Sequence, residues 1–207
     1  MDRFIIQETD FNQEDISQIV AIHRKEIGQG FLSSLGDKAL QLIFSLAAES
    51  KSGVLLAAKD TEQGQTCGFV LGAVDTRAFY RDFLLKKSLS AVISLAPRLF
   101  SFERLRKVLE TLLYPSKGEM QEMPKAELMD IAVLRSYQGT GLAQLLFHKF
   151  SEVLRESGVE TFRITTGESL VRAQRFYERL GAKKVASIQI HQGQETLVYI
   201  YEIAQTQ

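Results

Sequence analysis

The chain holds one cysteine, Cys67, among 207 residues. That excludes an intramolecular disulfide framework and a cysteine zinc cluster, and it fits a reducing compartment. Net charge is also missing: 25 Lys and Arg balance 25 Asp and Glu, so no overall field drives non-specific nucleic-acid binding. No uninterrupted apolar run approaches the about 18 residues of a membrane span. The opening Met1-Asp2-Arg3-Phe4-Ile5-Ile6-Gln7-Glu8 lacks the apolar core of a signal peptide. Internal repeats and low-complexity tracts are absent as well. What is present is ordinary for a globular chain, 45% hydrophobic and 24% charged, enough apolar surface to offset the ordering entropy. The expectation is one cytoplasmic domain over residues 1–207, with no nucleic-acid partner and no membrane association.

Periodicity orders the elements. Asp2 to Gln7 alternates weakly, as a short strand. Asn12, with Asp15 three residues on, predicts a helix start ahead of an apolar stripe of Ile16, Ile19, Val20 and Ile27. A second helix is expected over 37–49, with Leu40, Ile43, Phe44 and Ala47 on its inner face. Strands over 53–59 and 67–74 read as a hairpin. From Arg77 to Tyr114 the spacing turns helical, with Pro97 dividing two helices. Strands are expected over 126–133 and 160–166, helices over 140–156 and 170–179, and a last hairpin over 184–190 and 196–203. That order implies an α/β (α+β) layer built on a mixed sheet.

The chemistry concentrates where the strand Ala126–Val133 runs into Leu134-Arg135-Ser136-Tyr137-Gln138-Gly139-Thr140-Gly141-Leu142-Ala143. A turn with two glycines before a helix aims successive backbone N–H groups at one point, at the positive end of the helix dipole, and so makes an anion site. A Walker loop would place Lys and Ser or Thr after the second glycine, where Leu142 and Ala143 stand. A dinucleotide fingerprint would place a glycine where Gln144 stands.

The spacing Gln138-x-x-Gly141-x-Ala143 resembles motif A of the GNAT family, the Gcn5-related N-acetyltransferases, whose loop holds the pyrophosphate of acetyl-coenzyme A. Ala173-Gln174-Arg175-Phe176-Tyr177-Glu178-Arg179-Leu180-Gly181-Ala182 is similar to the family's second segment, Asn-x-x-Ala-x-x-Phe/Leu-Tyr-x-x-x-Gly-Phe. Leu170 stands where the family has Asn, so that contact is lost or passes to Ser169, and Ala182 replaces the usual Phe. The resemblance implies a GNAT-type mixed, mostly antiparallel sheet flanked by helices and splayed between the strands at 127–133 and 160–166. A two-helix insertion at about 77–117 would precede the motif-bearing strand.

It further implies that acetyl-CoA is held by Gln138, Gly139, Thr140, Gly141, Leu142 and Ala143, by the backbone of Ile131, Ala132 and Val133, and by Ser169 and Phe176. Tyr177 falls at the position of the acid that protonates the departing thiolate. Glu127, eleven residues before Gln138, falls where one branch of the family keeps a general base. An acceptor ammonium near pKa about 10.4 must lose a proton before it attacks. By strict alternation Glu127, Met129, Ile131 and Val133 share one strand face, with Asp130 on the other in a structural role. His148 and His191 read as surface residues, Cys67 as a small buried hydrophobe, and His23 lies on a helix whose end borders the acceptor side in this family.

The activity so implied is acetyl transfer from acetyl-CoA to a primary amine of a small molecule by direct attack, with no metal. A non-catalytic acyl-CoA-binding module, another acyl group and a protein acceptor stay open, as does a homodimer. The segment from Arg77 to Lys117 carries nine basic residues against three acidic ones. Its charge leads to the expectation of an anionic acceptor, such as a phosphate-bearing amino sugar, against the simpler reading of a solvated basic face.

Overall fold

A computed structural model describes residues 3–28, 31–34, 36–85, 123–191 and 194–204. The strands are β1 (Phe4–Gln7), β2 (Gly53–Asp60), β3 (Thr66–Ala73), β4 (Glu127–Val133), β5 (Thr161–Gly167), β6 (Lys183–His191) and β7 (Gln194–Glu202). The helices are α1 (Gln13–Glu26), α2 (Phe31–Ser34), α3 (Asp37–Glu49), α4 (Thr76–Leu85), α5 (Leu142–Glu156) and α6 (Val171–Arg179). Asn12 caps α1 as its sequence suggests, its side chain accepting from the Asp15 N–H while the Asp15 carboxylate accepts from the Asn12 N–H. The short α2 had no sequence signal strong enough to separate it from a loop. Of the helical insertion, only α4 falls within the described residues; Lys86, Lys87, Arg104 and Arg106 lie outside them.

The strands form one sheet in the order β1-β2-β3-β4-β5-β7-β6. Every neighbouring pair is antiparallel except β4 and β5. Two cores lie on its two faces. On one, α5 packs over β2, β3 and β4, and Leu146, Phe147, Phe150 and Leu154 meet Val70, Leu128, Phe162 and Tyr199. On the other, Ile19, Val20, Phe44 and Ala47 of α1 and α3 cover Leu55, Phe69, Leu71 and Ala132. Each fully buried large apolar side chain of this kind contributes roughly 1.5–3 kcal/mol, so the two layers hold β3 and β4 from both sides. Residues from α1 and α4 reach the second face only, and α6 the first.

Two irregularities in β4 position the site. First, Leu71 pairs with Asp130 but Gly72 pairs with Leu128, which leaves Met129 as an extra residue in a bulge. The bulge breaks the alternation that the sequence suggested. Glu127 lies opposite Ala73 and Asp130 opposite Leu71, both partners in the α1-side core, whereas Ile131 pairs with Val70 in the α5-side core. Cross-strand partners share a face. Glu127 and Asp130 are therefore on the same face, and Ile131 and Val133 are on the opposite one, which corrects the expected grouping.

Second, β4 and β5 pair only at Glu127 with Arg163 and Leu128 with Ile164. One more backbone bond joins the Arg163 N–H to the Ala126 carbonyl at 3.0 Å. Beyond Leu128, β4 stays with β3 as far as Val133, while β5 stays with β7 as far as Gly167. The strands part there and leave an opening that connects the two faces of the sheet.

Candidate active site

The loop after β4 is anchored before it turns. The Leu134 N–H donates to the Cys67 carbonyl at 2.9 Å, and a 3-10 turn follows over Arg135–Tyr137. Tyr137 is buried; its hydroxyl donates to Gln63 Oε1 at 3.0 Å, and the Arg3 guanidinium stacks over its ring. The Thr140 hydroxyl donates to the Tyr137 carbonyl at 2.7 Å, which closes the turn.

Gly139 and Gly141 both adopt positive φ, +82° and +85°, a region that costs other residues about 1–2 kcal/mol. No atom lies within 4 Å of a Cβ built on Gly139, and Gly141 meets only Gln144 Oε1 at 3.9 Å. The space over the turn is open. The left-handed Gly141 delays α5 to Leu142, two residues later than periodicity suggested. Among the described residues, the N–H groups of Gly139, Gly141, Leu142, Ala143 and Gln144 donate to no backbone carbonyl. These donors sit at the first turn of a 15-residue helix, an arrangement that suits a phosphate or pyrophosphate.

On the far side of the opening, α6 is stapled to the end of β5. The Gln174 side-chain amide donates to the Gly167 carbonyl at 3.2 Å and to the Glu168 carbonyl at 2.6 Å. Ser169 is exposed beside this junction, and Leu170, at the family's asparagine position, is 49% exposed. Half-buried Phe176 meets Phe147 edge to face, and buried Tyr177 packs in the α5-side core. Burial, aided by the charge of Asp130, pushes the Tyr177 hydroxyl well above the ordinary tyrosine range, so it remains a proton donor across neutral pH. Ala182 is buried in the same core, where the family's larger residue would stand.

Glu127 is not a free carboxylate. Arg163 donates to its Oε2 from Nε at 3.0 Å and from Nη2 at 2.7 Å, and the Thr76 hydroxyl, which donates to the Lys125 carbonyl at 2.8 Å, lies 3.3 Å from the same oxygen. Thr165 donates to Oε1 at 3.2 Å. The group straps β4, β5 and α4 together where β4 and β5 are still paired. Arg163, Thr165 and Thr76 escaped the sequence reading, because residues 36 to 51 positions away from Glu127 leave no local pattern. The pairing of His23 with Asp130 escaped it for the same reason, although His23 had been singled out. His148 is exposed, as expected, and His191 closes β6 against Gln194. The Cys67 thiol is buried and donates to the Ala58 carbonyl; burial first, then the charge of Asp60, pushes it up to about 11.

A sheet splayed between parallel neighbours, with a glycine turn of free amides at its mouth, is the architecture of an acyl-CoA-dependent transferase. The family profile described as "Acetyltransferase (GNAT) family" matches residues 30–182. The chain belongs to this acetyltransferase family. Among curated proteins no sequence matches it. Among solved structures, SsHAT superposes with a TM-score of 0.70 at 22% identity, covering 99% of this chain and all of that one. The ribosomal-protein-S18-alanine N-acetyltransferase of Escherichia coli superposes at 0.59 with 13% identity, covering 98% and 97% of the two chains. NAA60 of Arabidopsis thaliana, in complex with acetyl-CoA, does so at 0.58 with 13% identity, covering 97% and 98%. At these identities the likeness is one of fold. No described helix is long and apolar enough to cross a membrane.

Proposed function

We propose that the enzyme transfers an acetyl group from acetyl-CoA to a primary amine of a small molecule, the amine attacking the thioester directly. The reading is carried by the Gln138–Ala143 turn, whose unpaired amides face open space at the start of α5. The pyrophosphate binds there. The pantetheine arm lies in the opening beside the backbone of Ile131, Ala132 and Val133, in the manner of an added strand, with Ser169 and Phe176 on its other side.

The tetrahedral intermediate collapses by breaking the thioester C–S bond, and the Tyr177 hydroxyl protonates the leaving thiolate. Glu127 supports this chemistry by holding β4 and β5 at the apex of the opening, since both of its oxygens are already engaged. Cys67 takes no part, because it lies buried in the sheet as a neutral thiol. The anionic acceptor expected from the basic insertion rests on Lys86, Lys87, Arg104 and Arg106, which lie outside the described residues.

Titration calorimetry with acetyl-CoA tests the loop. Gly141→Glu places a carboxylate against the pyrophosphate and forces a side chain into a left-handed position. Binding should be abolished while the circular dichroism spectrum is retained; wild-type binding by that folded variant refutes the assignment. Thiol release from acetyl-CoA with amino sugars, polyamines, aminoglycosides and lysine peptides then identifies the acceptor class. A wild-type enzyme that binds acetyl-CoA yet acetylates none of these returns the chain to the non-catalytic reading.

A further inference from the structure

On the α1 face of the opening, the bulge at Met129 turns Asp130 toward α1, two residues beyond the last position at which β4 pairs with β5. Asp130 Oδ2 is buried and has no hydrogen-bond partner among the described residues, in contrast to the fully engaged carboxylate of Glu127. Facing it at 3.4 Å is Nε2 of His23, a residue with no solvent exposure. Neither ring nitrogen of His23 makes a hydrogen bond among the described residues. The ring is fixed by packing edge to face on Phe44, 5.9 Å between centroids, and by Phe69 at 6.3 Å. Unpartnered polar groups in a packed core are uncommon and ask for a reason.

The side chain of Asp130 keeps 15% exposure although its Oδ2 is buried, so the oxygen open to solvent is Oδ1. Its charge acts on the hydroxyl of Tyr177 from across the sheet and on that of Tyr80 of α4 on its own face. The ionisable groups around it are then His23 behind, Glu127 and Arg163 at the apex, Tyr80 beside it and Tyr177 opposite.

We infer that Asp130 is the catalytic carboxylate that binds and deprotonates the acceptor ammonium, and that His23 is its positioning residue. This rests on the acetyl-transfer reading above and adds the side of approach: the amine is presented from the α1 face. The incoming N–H meets Oδ1, the oxygen that is not buried, while Oδ2 faces His23. His23, whose Nε2 stands 3.4 Å behind Oδ2, backs the carboxylate and keeps it toward the opening.

The protons balance. The ammonium gives one proton to Asp130, which releases it to solvent. The amine nitrogen then forms the C–N bond to the thioester carbonyl and gives a second proton to Asp130. The C–S bond breaks and Tyr177 protonates the thiolate; the proton on Asp130 returns to Tyr177 through water. One amide, one thiol and one released proton result.

The experiment compares wild type, D130N, D130E, H23Q and the D130N/H23Q double variant, using acetyl-CoA calorimetry and kinetics with the panel amine that turns over fastest. D130N should bind acetyl-CoA normally and lose about 10²–10⁴-fold in kcat/KM for the amine, with part of the loss recovered by D130E. H23Q should lower kcat with KM for acetyl-CoA unchanged. Its effect should vanish in the D130N background, a non-additivity that a merely structural histidine does not produce. Wild-type kcat/KM in D130N, or independent losses in the double variant, overturns the inference.

Failure of the wild-type protein to bind acetyl-CoA or acetylate any amine instead sinks the underlying reading. In that event the ring nitrogen NMR signals of His23 decide the pairing by themselves. They should move on D130N substitution, and unmoved signals refute the His23–Asp130 contact.

Discussion

Arg163→Met removes both guanidinium donors to Glu127 Oε2 while keeping an unbranched apolar stem in the same space. The side chains of Arg163 and Glu127 retain only 14% and 11% of their exposure, so the abandoned carboxylate finds little water to replace the guanidinium. Deleting one partner of a buried ion pair costs about 3–5 kcal/mol, because a charge is left uncompensated. Here the Thr165 hydroxyl still donates to Glu127 and the Thr76 hydroxyl stays beside it, which places the cost near the lower end, about 3 kcal/mol. In a chain of this length each kcal/mol moves Tm by about 2–4 °C, so the fall should be about 6–12 °C.

Glu127→Gln alone should also destabilise, since it strands the arginine. The double variant should recover much of the loss, because a neutral amide beside a methionine leaves no unpaired charge. Scanning calorimetry of the four proteins closes the cycle. A fall of less than about 2 °C in Arg163→Met, or single effects that simply add, refutes the strap and frees Glu127 to serve as the general base. If the strap is real, the variants should also share a lowered kcat, since the apex of the opening is built on that pairing.

Three further outcomes are expected. Tyr177→Phe should lower turnover by about 10²–10⁴-fold with acetyl-CoA affinity nearly unchanged, since the hydroxyl acts on charge that develops only as the thiolate departs; steady-state kinetics beside calorimetry separate the two. Gly72→Ala should destabilise by about 1–3 kcal/mol or more. Its new Cβ would stand 2.4 Å from Phe150 Cζ and 2.5 Å from the Glu127 carbonyl oxygen, and a Tm equal to wild type refutes that close approach. Cys67 should not react with a disulfide reagent in the native protein at pH 8. Its thiol is pushed up to about 11, so the reactive thiolate is scarce there and grows only as pH rises toward that value. Stoichiometric labelling without unfolding refutes its burial.

The glycine turn after β4 was legible from local sequence. Gly139 and Gly141 are the residues that a left-handed turn requires, and an apolar strand before them with an amphipathic helix after them sets where the amides point. The same holds for the Asn12–Asp15 cap and for the helical face of Phe147, Phe150 and Leu154. All of these depend on interactions spanning a few residues. The arrangement of carboxylates on the α1 face was not legible. Period two places Glu127 with Ile131 and Val133, but a single extra residue at Met129, set by the register of β4 on β3, moves Glu127 to the face of Asp130.

The pairings that decide which carboxylate is free come from distant parts of the chain. Arg163 and Thr165 arrive on β5, Thr76 on α4 and His23 on α1. Local periodicity carries no information about such pairings, since they are fixed only when both faces of the sheet are packed. The sequence by itself thus determined the fold class, the glycine turn with its open amides and the place of Tyr177 on α6. Tertiary packing decided that Glu127 is held by Arg163 and that Asp130, against a buried histidine, is left with an oxygen to spare.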